Sequence, residues 1–552
     1  MTVDKNLDGA SRPNAPRAET TVIGAAGPEL RESLFDLGRP APPPQPFNLS
    51  AYCLSAATHA PDKVALQVFH EADAAPSEVW TYGALAEAVE RATAGFLALG
   101  LQPGDRVLLR LGNTSRFPLL FFAVAAAGGV ALPTSSQLTP AEAVKIAEDA
   151  GARILCVEDA LAIDAPPLGA TLLDDAGIEA LLNAGDRAPA REMDPDAPGY
   201  LVYTSGATGR PKGVLHAHRA VWARRMMWRD WYGLEAEDRV LHAGAFNWTY
   251  TLGAGLMDPW ACGAATAIYA GPSDPAVWPK LAQRVGATLF AAVPSLYRRI
   301  VKYGDGLETA FANLKHGLTA GEKLPEPVRE DWRRATGKEV YEALGMSECS
   351  TFVSSRPGWP IKPDRAGWPQ RGRRVAVLPV DADASSADRP VAIGAPGVLA
   401  VSRDDPGLML GYWSRPEEDA AARRGDWFLT GDLVRMDPDG AIAHLGRADD
   451  LMNAMGYRVG PQEVEDALLS CPGVLECAAT EVEVKAGVRA IALFVVVDPN
   501  AAPNEETLQA HAAARLAEYK RPRAYHIVDA LPRTATGKVQ RKRLAAMAGP
   551  SS

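Results

Sequence analysis

The chain has 552 residues, of which 47% are hydrophobic and 22% are charged, and its formal net charge is −10. This length exceeds what one hydrophobic core usually serves, so we expect at least two domains. The acidic balance argues against nucleic acid as a main partner, because binding a nucleic-acid backbone needs a basic surface. The six cysteines include no C-x-x-C pair, which argues against a zinc ribbon or a disulfide framework and favours reduced, buried thiols.

The first 45 residues are polar and then rich in proline and alanine, ending in Ala41-Pro-Pro-Pro-Gln-Pro46. This composition predicts a flexible N-terminal tail over residues 1–45. The tail has no apolar segment typical of a secretory signal, and the apolar stretch from Phe117 to Leu132 is too short and interrupted to span a bilayer. We therefore expect a cytoplasmic protein that does not contact a membrane.

Helical and strand patterns alternate from about residue 50. Tyr82 to Leu99 has apolar residues at helical spacing and is followed by Gly100, and residues 117–127 are also predicted to be helical. Strand-like runs follow at residues 106–110, 129–133, 153–157 and 287–293. This alternation indicates βαβ units around buried parallel sheets, whose ligands usually lie at the C-terminal ends of the strands. We predict a large α/β N-terminal domain over residues 46–447.

A second unit follows the polar segment Gly446-Arg-Ala-Asp-Asp450, which is suited to a hinge. A helix is predicted over Val459–Leu469, with Pro461 at its start, and a strand over Ala490–Val497. We therefore predict a small α+β C-terminal domain over residues 448–552.

A loop rich in glycine and hydroxyl residues, Tyr203-Thr-Ser-Gly-Ala-Thr-Gly-Arg-Pro-Lys-Gly-Val214, follows a strand-like run. Its glycines let backbone N–H groups approach anionic oxygens, its hydroxyls add donors, and Lys212 adds a positive charge. These features suit the phosphates of ATP; the alternative is an ordinary surface turn. The loop is not a Walker A motif, because Lys212 is followed by glycine instead of Ser or Thr.

Five further segments follow the loop along the chain. They are Tyr341-Glu-Ala-Leu-Gly-Met-Ser-Glu348, Trp427-Phe-Leu-Thr-Gly-Asp-Leu433, Gly446-Arg-Ala-Asp-Asp450, Met455-Gly-Tyr-Arg-Val-Gly-Pro-Gln-Glu-Val-Glu465 and Leu531-Pro-Arg-Thr-Ala-Thr-Gly-Lys538. In this order the six segments resemble the adenylate-forming superfamily of acyl-CoA synthetases, peptide-synthetase adenylation domains and luciferases. The loop departs from the family pattern T-S-G-[S/T]-T-G-x-P-K-G at Ala207, where the usual hydroxyl is missing.

The resemblance implies a role for each matched residue. Lys538 is implied to be the catalytic lysine that bridges the substrate carboxylate and the α-phosphate, and Glu348 to be the catalytic residue whose carboxylate binds Mg²⁺. Asp449 is implied to be the hinge of a mobile C-terminal domain, and Gly456 to line the tunnel for coenzyme A. The implied ATP and AMP ligands are Thr204, Ser205, Gly206, Thr208, Gly209, Lys212, Ser347, Asp432 and Arg447.

Within the superfamily, the segments at 320–325 and 344–358 resemble those of benzoate- and related aryl-CoA ligases. The segment Ala245-Phe-Asn-Trp-Thr-Tyr-Thr-Leu-Gly253 stands where the family supplies its acyl pocket, and it contains no Arg or Lys, which favours a neutral acyl tail over a dicarboxylate. The alternative for its aromatic residues is core packing, since aromatic side chains fill cores routinely. The predicted acyl-pocket residues are Phe246, Trp248, Tyr250, Met346 and Thr351.

The resemblance thus implies an AMP-forming carboxylate–CoA ligase that uses ATP, Mg²⁺ and coenzyme A on an aromatic or a short to medium apolar acid. Three alternatives stay open: an adenylating enzyme that loads a separate carrier-protein thiol, a luciferase-like activity, and a nucleotide-binding regulator, which would be expected to lack Lys538 or Glu348. His216 and His218 are an alternative metal pair without an identifiable third ligand. The expected partners are these small molecules, and a homodimer is allowed.

Overall fold

The computed structural model describes residues 30–204, 211–272, 274–380, 387–450, 452–454, 457–485, 488–533 and 539–548. Six residues with predicted roles lie outside the described residues: Ser205, Gly206, Thr208, Gly209, Gly456 and Lys538. For Asp449 only the backbone is described; it belongs to a 3₁₀ turn over Ala448–Asp450.

The described strands are, in chain order, β1 (Leu34–Asp36), β2 (Val64–Phe69), β3 (Glu78–Thr81), β4 (Arg106–Arg110), β5 (Val130–Pro133), β6 (Ile154–Val157), β7 (Thr171–Leu173), β8 (Pro198–Thr204), β9 (Lys212–Ala217), β10 (Arg239–His242), β11 (Ala265–Tyr269), β12 (Leu289–Ala291), β13 (His316–Ala320), β14 (Val340–Met346), β15 (Ser350–Ser354), β16 (Trp368–Pro369), β17 (Arg374–Leu378), β18 (Pro396–Ser402), β19 (Gly411–Tyr412), β20 (Arg423–Arg424), β21 (Trp427–Met436), β22 (Ile442–Arg447), β23 (Met452–Ala454), β24 (Tyr457–Val459), β25 (Val474–Lys485), β26 (Val488–Val497) and β27 (Ala524–Ile527).

The described α-helices are α1 (Leu49–Cys53), α2 (Tyr82–Ala98), α3 (Arg116–Ala126), α4 (Pro140–Ala150), α5 (Asp175–Leu182), α6 (Arg219–Ala223), α7 (Arg225–Met227), α8 (Thr249–Leu252), α9 (Asp258–Cys262), α10 (Val277–Val285), α11 (Pro294–Tyr303), α12 (Leu307–Ala310), α13 (Glu326–Thr336), α14 (Pro416–Ala421), α15 (Pro461–Leu469), α16 (Glu505–Arg515) and α17 (Arg541–Met547). Two π-helical turns cover Trp228–Tyr232 and Gly253–Met257, and 3₁₀ turns cover Ser55–Thr58, Asp159–Leu161 and Glu518–Lys520.

Two large sheets are mainly parallel. One has seven strands in the order β19-β9-β8-β5-β4-β6-β7, and the other has nine in the order β16-β15-β14-β13-β12-β10-β11-β2-β3. Their parallel strands alternate with helices along the chain, which confirms the predicted α/β class. The C-terminal ends of β8 and β14 both carry predicted site residues, Thr204 and Ser347 among them.

Helix formation in the large domain follows from local sequence. The Thr81 hydroxyl caps α2 by accepting a hydrogen bond from the N–H of Ala84 at 3.2 Å, and the buried side chains of α2 include Leu85, Val89 and Phe96. Almost every residue of α3 is buried, and its first and last residues match the predicted helix to within one position. A helix that is apolar on all sides must lie inside a domain, and α3 contacts both α2 and the strands β4 and β5 of the seven-stranded sheet.

A third sheet is antiparallel and has the order β1-β17-β18-β21-β20, with β22 paired to β21. Its edge strand β1 lies inside the segment predicted to be a flexible tail, so that prediction is wrong for residues 34–36. Phe35 is 2% exposed and belongs to the core beneath this sheet, and Leu34 pairs with Ala376. Burial of the apolar pair Leu34 and Phe35 explains why the strand forms within a polar, proline-rich region.

The C-terminal part contains the hairpin β23-β24 and a sheet in the order β25-β26-β27, packed with α15, α16 and α17. Helix α15 begins two residues after the predicted start, with Pro461 at its first turn, and β26 contains the predicted strand. These elements enclose their own apolar cluster, which includes Val464, Leu468 and Leu493. A large N-terminal domain with a smaller α+β domain is therefore confirmed as the architecture.

Among the described residues, no helix combines the length and the apolar character that crossing a bilayer requires.

Candidate active site

The hairpin of β8 and β9 holds the two ends of the glycine-rich loop. Thr204 pairs directly with Lys212 across the hairpin, so the loop between them leaves from adjacent backbone positions. The Lys212 ammonium forms an ion pair with Glu418 of α14 and lies 5.2 Å from the centroid of the Tyr412 ring. The cation at the end of the loop is thus held against strand β19, which pairs with β9.

Glu348 lies in the turn between β14 and β15. The Tyr412 hydroxyl donates a hydrogen bond of 2.7 Å to Glu348 Oε1, and the N–H of Met409 donates one of 2.8 Å to the Glu348 carbonyl oxygen. Burial and the charge of Glu348 raise the pKa of Tyr412, so the phenol stays protonated and acts as the donor. The structure therefore brings Lys212 and Glu348 together through Tyr412.

The donor set around Glu348 fits a magnesium ion bound together with phosphates. Tyr412 occupies one carboxylate oxygen, which leaves Oε2 available for a cation. Mg²⁺ usually takes one or two carboxylates and completes its shell with water and substrate phosphate oxygens. The carboxylate of Glu348, connected to Lys212 through Tyr412, can supply the one protein ligand that this pattern needs.

Buried side chains hold the turn that carries Glu348. His216 Nε2 donates to the carbonyl oxygen of Ser347 at 2.8 Å, and Arg224 donates to the Ser350 hydroxyl. Ser350 has a φ of 62°, and a Cβ at Gly345 would lie 2.4 Å from the Ser350 carbonyl oxygen, so the turn is tight and requires glycine there. Ser347 contributes its backbone to this arrangement.

His216 and His218 serve the fold in this structure. His218 Nδ1 accepts a hydrogen bond of 3.1 Å from the N–H of Leu49, while His216 bonds Ser347. Burial lowers the pKa of each histidine to about 4, so both are neutral at physiological pH. No group of three potential metal-binding side chains occurs among the described residues, which leaves the alternative metal pair without support.

Strands β21 and β22 create a polar site from two of the predicted motifs. Asp432 pairs with Arg447 across the strands, and Asp432 Oδ1 lies 3.3 Å from His444 Nε2 and 3.4 Å from Arg447 Nη1. Burial alone would raise the pKa of Asp432, but the hydrogen bond and charge of His444 and the charge of Arg447 lower it overall. Gly431 has a φ of 77° and approaches the Arg447 guanidinium so closely that a Cβ there would lie 2.7 Å from Nη2.

This arrangement keeps Asp432 ionised and 6% exposed, so its carboxylate is a fixed acceptor for hydroxyl groups. His444 was not among the predicted residues. It lies in β22, three residues before Arg447 and outside the predicted motif, and its contact with Asp432 depends on the pairing of two strands.

Trp248 and Tyr250 lie together in an aromatic cluster beside the nine-stranded sheet. Their ring centroids are 5.2 Å apart at 90°, and Tyr250 stacks on Trp231 at 5.8 Å. Thr351 borders the same cluster, because its hydroxyl contacts the sulfur of Met227. A Cβ at Gly321 would lie 3.2 Å from Trp248, which places the cluster against the loop after β13.

The structure does not bring Phe246 and Met346 to this cluster. Phe246 is 1% exposed, belongs to the core around α3 and stacks on Phe117 with centroids 5.6 Å apart. Met346 packs on the core beneath the antiparallel sheet. Phe246 and the aromatic residues near α8 enter different cores because a turn separates Phe246 from the start of that helix.

The C-terminal domain contacts the large domain close to the aromatic cluster. Arg533 lies 3.9 Å from Glu322, the neighbour of Gly321, and 2.9 Å from Glu476, while Lys323 forms a 2.8 Å ion pair with Asp466. Arg533 and Val539 form an isolated antiparallel bridge, so both flanks of the segment that contains Lys538 are held together. Lys538 itself lies outside the described residues.

Comparison with known proteins agrees with this arrangement. Residues 54–413 match the AMP-binding enzyme family, and residues 463–538 match the AMP-binding enzyme C-terminal domain. The 3-hydroxybenzoate–CoA ligase of Aromatoleum sp. (strain CIB) is 31% identical over 481 residues, which cover 84% of this chain and 91% of that protein.

Two solved structures are similar over nearly their whole length. A benzoate CoA ligase from Burkholderia xenovorans LB400 has a TM-score of 0.80 and 28% identity, covering 90% of this chain and 100% of that one. ATP-bound MatB from Rhodopseudomonas palustris has a TM-score of 0.82 and 26% identity, covering 91% of this chain and 98% of that one.

Proposed function

The chain belongs to the AMP-binding enzyme family, and from that premise we propose that it is an AMP-forming ligase that joins an aromatic carboxylic acid to coenzyme A. The observation that carries the proposal is the contact chain from Lys212 through Tyr412 to Glu348, which gathers a cation and a metal-binding carboxylate at the glycine-rich loop. Relatives that are CoA ligases for benzoate and 3-hydroxybenzoate supply the substrate class.

The first half-reaction joins two anions, so positive charge must be supplied. An oxygen of the substrate carboxylate forms a bond to the α-phosphorus of ATP, the bond between the α-phosphorus and the bridging oxygen breaks, and pyrophosphate leaves. Mg²⁺, when bound at Glu348, would neutralise charge on the phosphates. Lys212 holds the phosphates, and Lys538 bridges the carboxylate and the α-phosphate and stabilises the transition state.

Asp432 and Arg447 position the nucleotide during this step. The carboxylate of Asp432 accepts hydrogen bonds from the ribose hydroxyls, and His444 and Arg447 keep it charged and correctly oriented. Holding the reactants in the correct orientation can lower the activation barrier by roughly several kcal/mol.

The second half-reaction transfers the acyl group. The thiol sulfur of coenzyme A forms a bond to the acyl carbon, the bond from that carbon to the phosphate oxygen breaks, AMP leaves, and the thiol proton passes to solvent. We infer that the C-terminal domain turns about Asp449 between the two steps, which moves Lys538 away and brings Gly456 to line the thiol path. The polar contacts between the domains, Arg533 with Glu322 and Lys323 with Asp466, join side chains that are 24–40% exposed, and ion pairs of this kind contribute little energy, so a domain movement can break them.

The experiment measures the two half-reactions separately. Pyrophosphate release is followed with benzoate, hydroxybenzoates, aminobenzoates, cyclohexanecarboxylate and fatty acids of three to eight carbons, each with and without coenzyme A. Lys538→Ala is expected to slow adenylate formation by about 10²-fold or more, while thioester formation from a pre-made acyl-adenylate persists. Lys302→Ala, which changes an exposed lysine on α11, is the matched control.

Two results would contradict the proposal. If Lys538→Ala slowed both half-reactions equally while the fold stayed intact, Lys538 would have no specific role in adenylation. If none of the aromatic acids gave turnover that depends on coenzyme A, the proposed ligase function would be wrong. Turnover only with a phosphopantetheinylated carrier protein would instead support the carrier-loading alternative.

The proposal also includes a compartment. The six cysteines are all unpaired, five of them buried, as expected for a protein in a reducing environment. We therefore propose a cytoplasmic location, and a homodimer stays a prediction that a mass measurement in solution would test.

A further inference from the structure

One buried histidine has no hydrogen-bond partner among the described residues. Four histidines are almost completely buried, and three of them use a ring nitrogen: His216 with Ser347, His218 with Leu49 and His316 with the carbonyl oxygen of Tyr232. His242, at the C-terminal end of β10, is 1% exposed, and neither of its ring nitrogens has a partner among the described residues. His242 therefore differs from every other buried histidine of the chain.

An unpaired imidazole inside a protein is unfavourable. Burial lowers the pKa of His242 to about 3, so the ring is neutral and carries one N–H donor and one acceptor nitrogen. A buried polar group without a partner is unfavourable, because it has lost its hydrogen bonds to water and gained none in return. Buried polar groups are satisfied in most native structures, so an unpaired one points to a partner that the protein itself does not supply.

His242 stands at the inner end of the aromatic cluster. Its ring meets the ring of Tyr250 edge to face with centroids 4.7 Å apart, and Tyr250 in turn meets Trp248. The Tyr250 hydroxyl is also buried without a partner among the described residues. The sequence of contacts runs from His242 through Tyr250 and Trp248 to Gly321, the neighbour of the residue that Arg533 approaches.

The order of these contacts determines which end of a bound aromatic acid lies nearest to His242. The carboxylate must lie at the Gly321 end, since Arg533 of the C-terminal domain contacts Glu322 there and Lys538, five residues later in the sequence, acts on the carboxylate under the proposed function. The far end of the ring then points towards Tyr250 and His242. The apolar side chains of the cluster around Tyr250 include Met227, Leu318, Ala320 and Ala343, and the buried Thr251 hydroxyl near Gly244 and His242 also has no partner among the described residues.

We propose that His242 and the Tyr250 hydroxyl recognise a neutral polar substituent, a hydroxyl or an amino group, on the ring of the aromatic acid; this inference rests on the proposed function. A hydroxyl group donates and accepts, which matches the acceptor and donor of a neutral imidazole and the phenol beside it. A second carboxylate does not fit, because a charge buried beside a neutral imidazole and apolar side chains would lose its hydration without gaining a cation. An unsubstituted ring would leave both polar groups unpaired.

The test compares kcat/KM for benzoate with kcat/KM for 3-hydroxybenzoate, 4-hydroxybenzoate and 3-aminobenzoate. The wild-type enzyme is expected to favour at least one substituted acid over benzoate by about 10²-fold or more, as sites built to bond a hydroxyl do. Tyr250→Phe keeps the ring and removes one hydroxyl, so the ratio of kcat/KM for the favoured acid to kcat/KM for benzoate should fall about 10-fold, the loss of one buried hydrogen bond.

His242→Phe is the second variant and should abolish the remaining discrimination between benzoate and the substituted acid. Tyr303→Phe, at a tyrosine that is 58% exposed, is the matched control and should leave all the ratios unchanged. If His242→Phe fails to fold, the ratio in Tyr250→Phe decides.

The outcomes separate the two proposals. Absence of turnover with every aromatic acid overturns the ligase function and this inference with it. Turnover in which benzoate equals or exceeds all substituted acids overturns only the recognition site. Equal loss for benzoate and the substituted acids in Tyr250→Phe also overturns it, because that result assigns Tyr250 to packing alone.

Discussion

The buried ion pair of Arg224 and Asp258 supports the strongest stability prediction. Arg224 donates to both carboxylate oxygens of Asp258, at 2.8 and 2.6 Å, and Tyr232 donates to the same carboxylate at 2.8 Å. The two side chains are only 6% and 1% exposed. Because Arg224 also donates to Ser350, the pair connects the interior of the large domain to the turn that holds Glu348.

Asp258→Asn removes one charge and leaves the Arg224 guanidinium buried without its counterion. Breaking a buried pair in this way costs about 3–5 kcal/mol, whereas an exposed pair contributes about 0–1 kcal/mol. Asp331→Asn is the matched control, because it breaks the 2.9 Å pair with Arg334, whose side chain is 75% exposed. We expect the free energy of unfolding of the large domain to fall by several kcal/mol in the first variant and by less than about 0.5 kcal/mol in the second.

Guanidinium unfolding followed by tryptophan fluorescence measures both variants, with each transition fitted for its own midpoint and slope. The double replacement Arg224→Met with Asp258→Leu removes both charges, so it should be more stable than Asp258→Asn alone. The reasoning is refuted if Asp258→Asn unfolds at the wild-type midpoint with an unchanged slope. It is also refuted if the double variant is the less stable of the two.

Three further predictions test the site, the domain contact and the response to pH. Asp432→Asn keeps the shape of the side chain but removes its charge, so KM for ATP in pyrophosphate release should rise about 10-fold or more, as the loss of charged hydrogen bonds predicts; an unchanged KM would exclude ribose binding by Asp432. Lys323→Ala removes the 2.8 Å pair with Asp466, whose two side chains are 28% and 40% exposed, so the adenylation rate should change by at most about 5-fold, and a larger change would show that this pair does more than a partly exposed contact can. Burial would raise the pKa of Asp230, but its hydrogen bonds with Arg371 lower it below the ordinary value of 3.8. The stability that Asp230 contributes is therefore present above about pH 4 and is lost as the pH falls through its folded pKa, so urea midpoints measured between pH 6 and pH 3 should drop more steeply in the wild type than in Asp230→Asn; parallel curves would contradict this sign.

Local sequence was sufficient for much of the fold. The strand β4 occupies the predicted residues 106–110, and α3 differs from its predicted limits by one residue. Helix α3 is apolar after Arg116, and β4 has three apolar residues between two arginines, so in both elements local propensity and burial favour the same structure. The strand β1 was missed because three residues inside a proline-rich segment form a strand only when β17 offers its edge.

Several site residues were also readable from motifs. Thr204 and Lys212 end the two sides of one hairpin, and Asp432 and Arg447 face each other across another, so short spacing in the chain becomes short distance in space. Tyr412 had no predicted role, because a tyrosine beside a glycine does not reveal that its hydroxyl reaches Glu348, 64 residues earlier.

The sequence by itself determined the α/β class, the two-domain order and the chemistry of the phosphate and ribose contacts, since these depend on backbone pattern and on residues close together in the chain. Only the tertiary structure decided which aromatic residues share a cluster: Phe246 joins the core around α3, while Trp248 and Tyr250 meet His242 from another strand. Helical or strand periodicity tells which residues are apolar, but it does not tell which of several cores each one enters. That choice follows from how sheets and helices pack. For the same reason the sequence does not single out His242, whose buried ring nitrogens have no partner among the described residues.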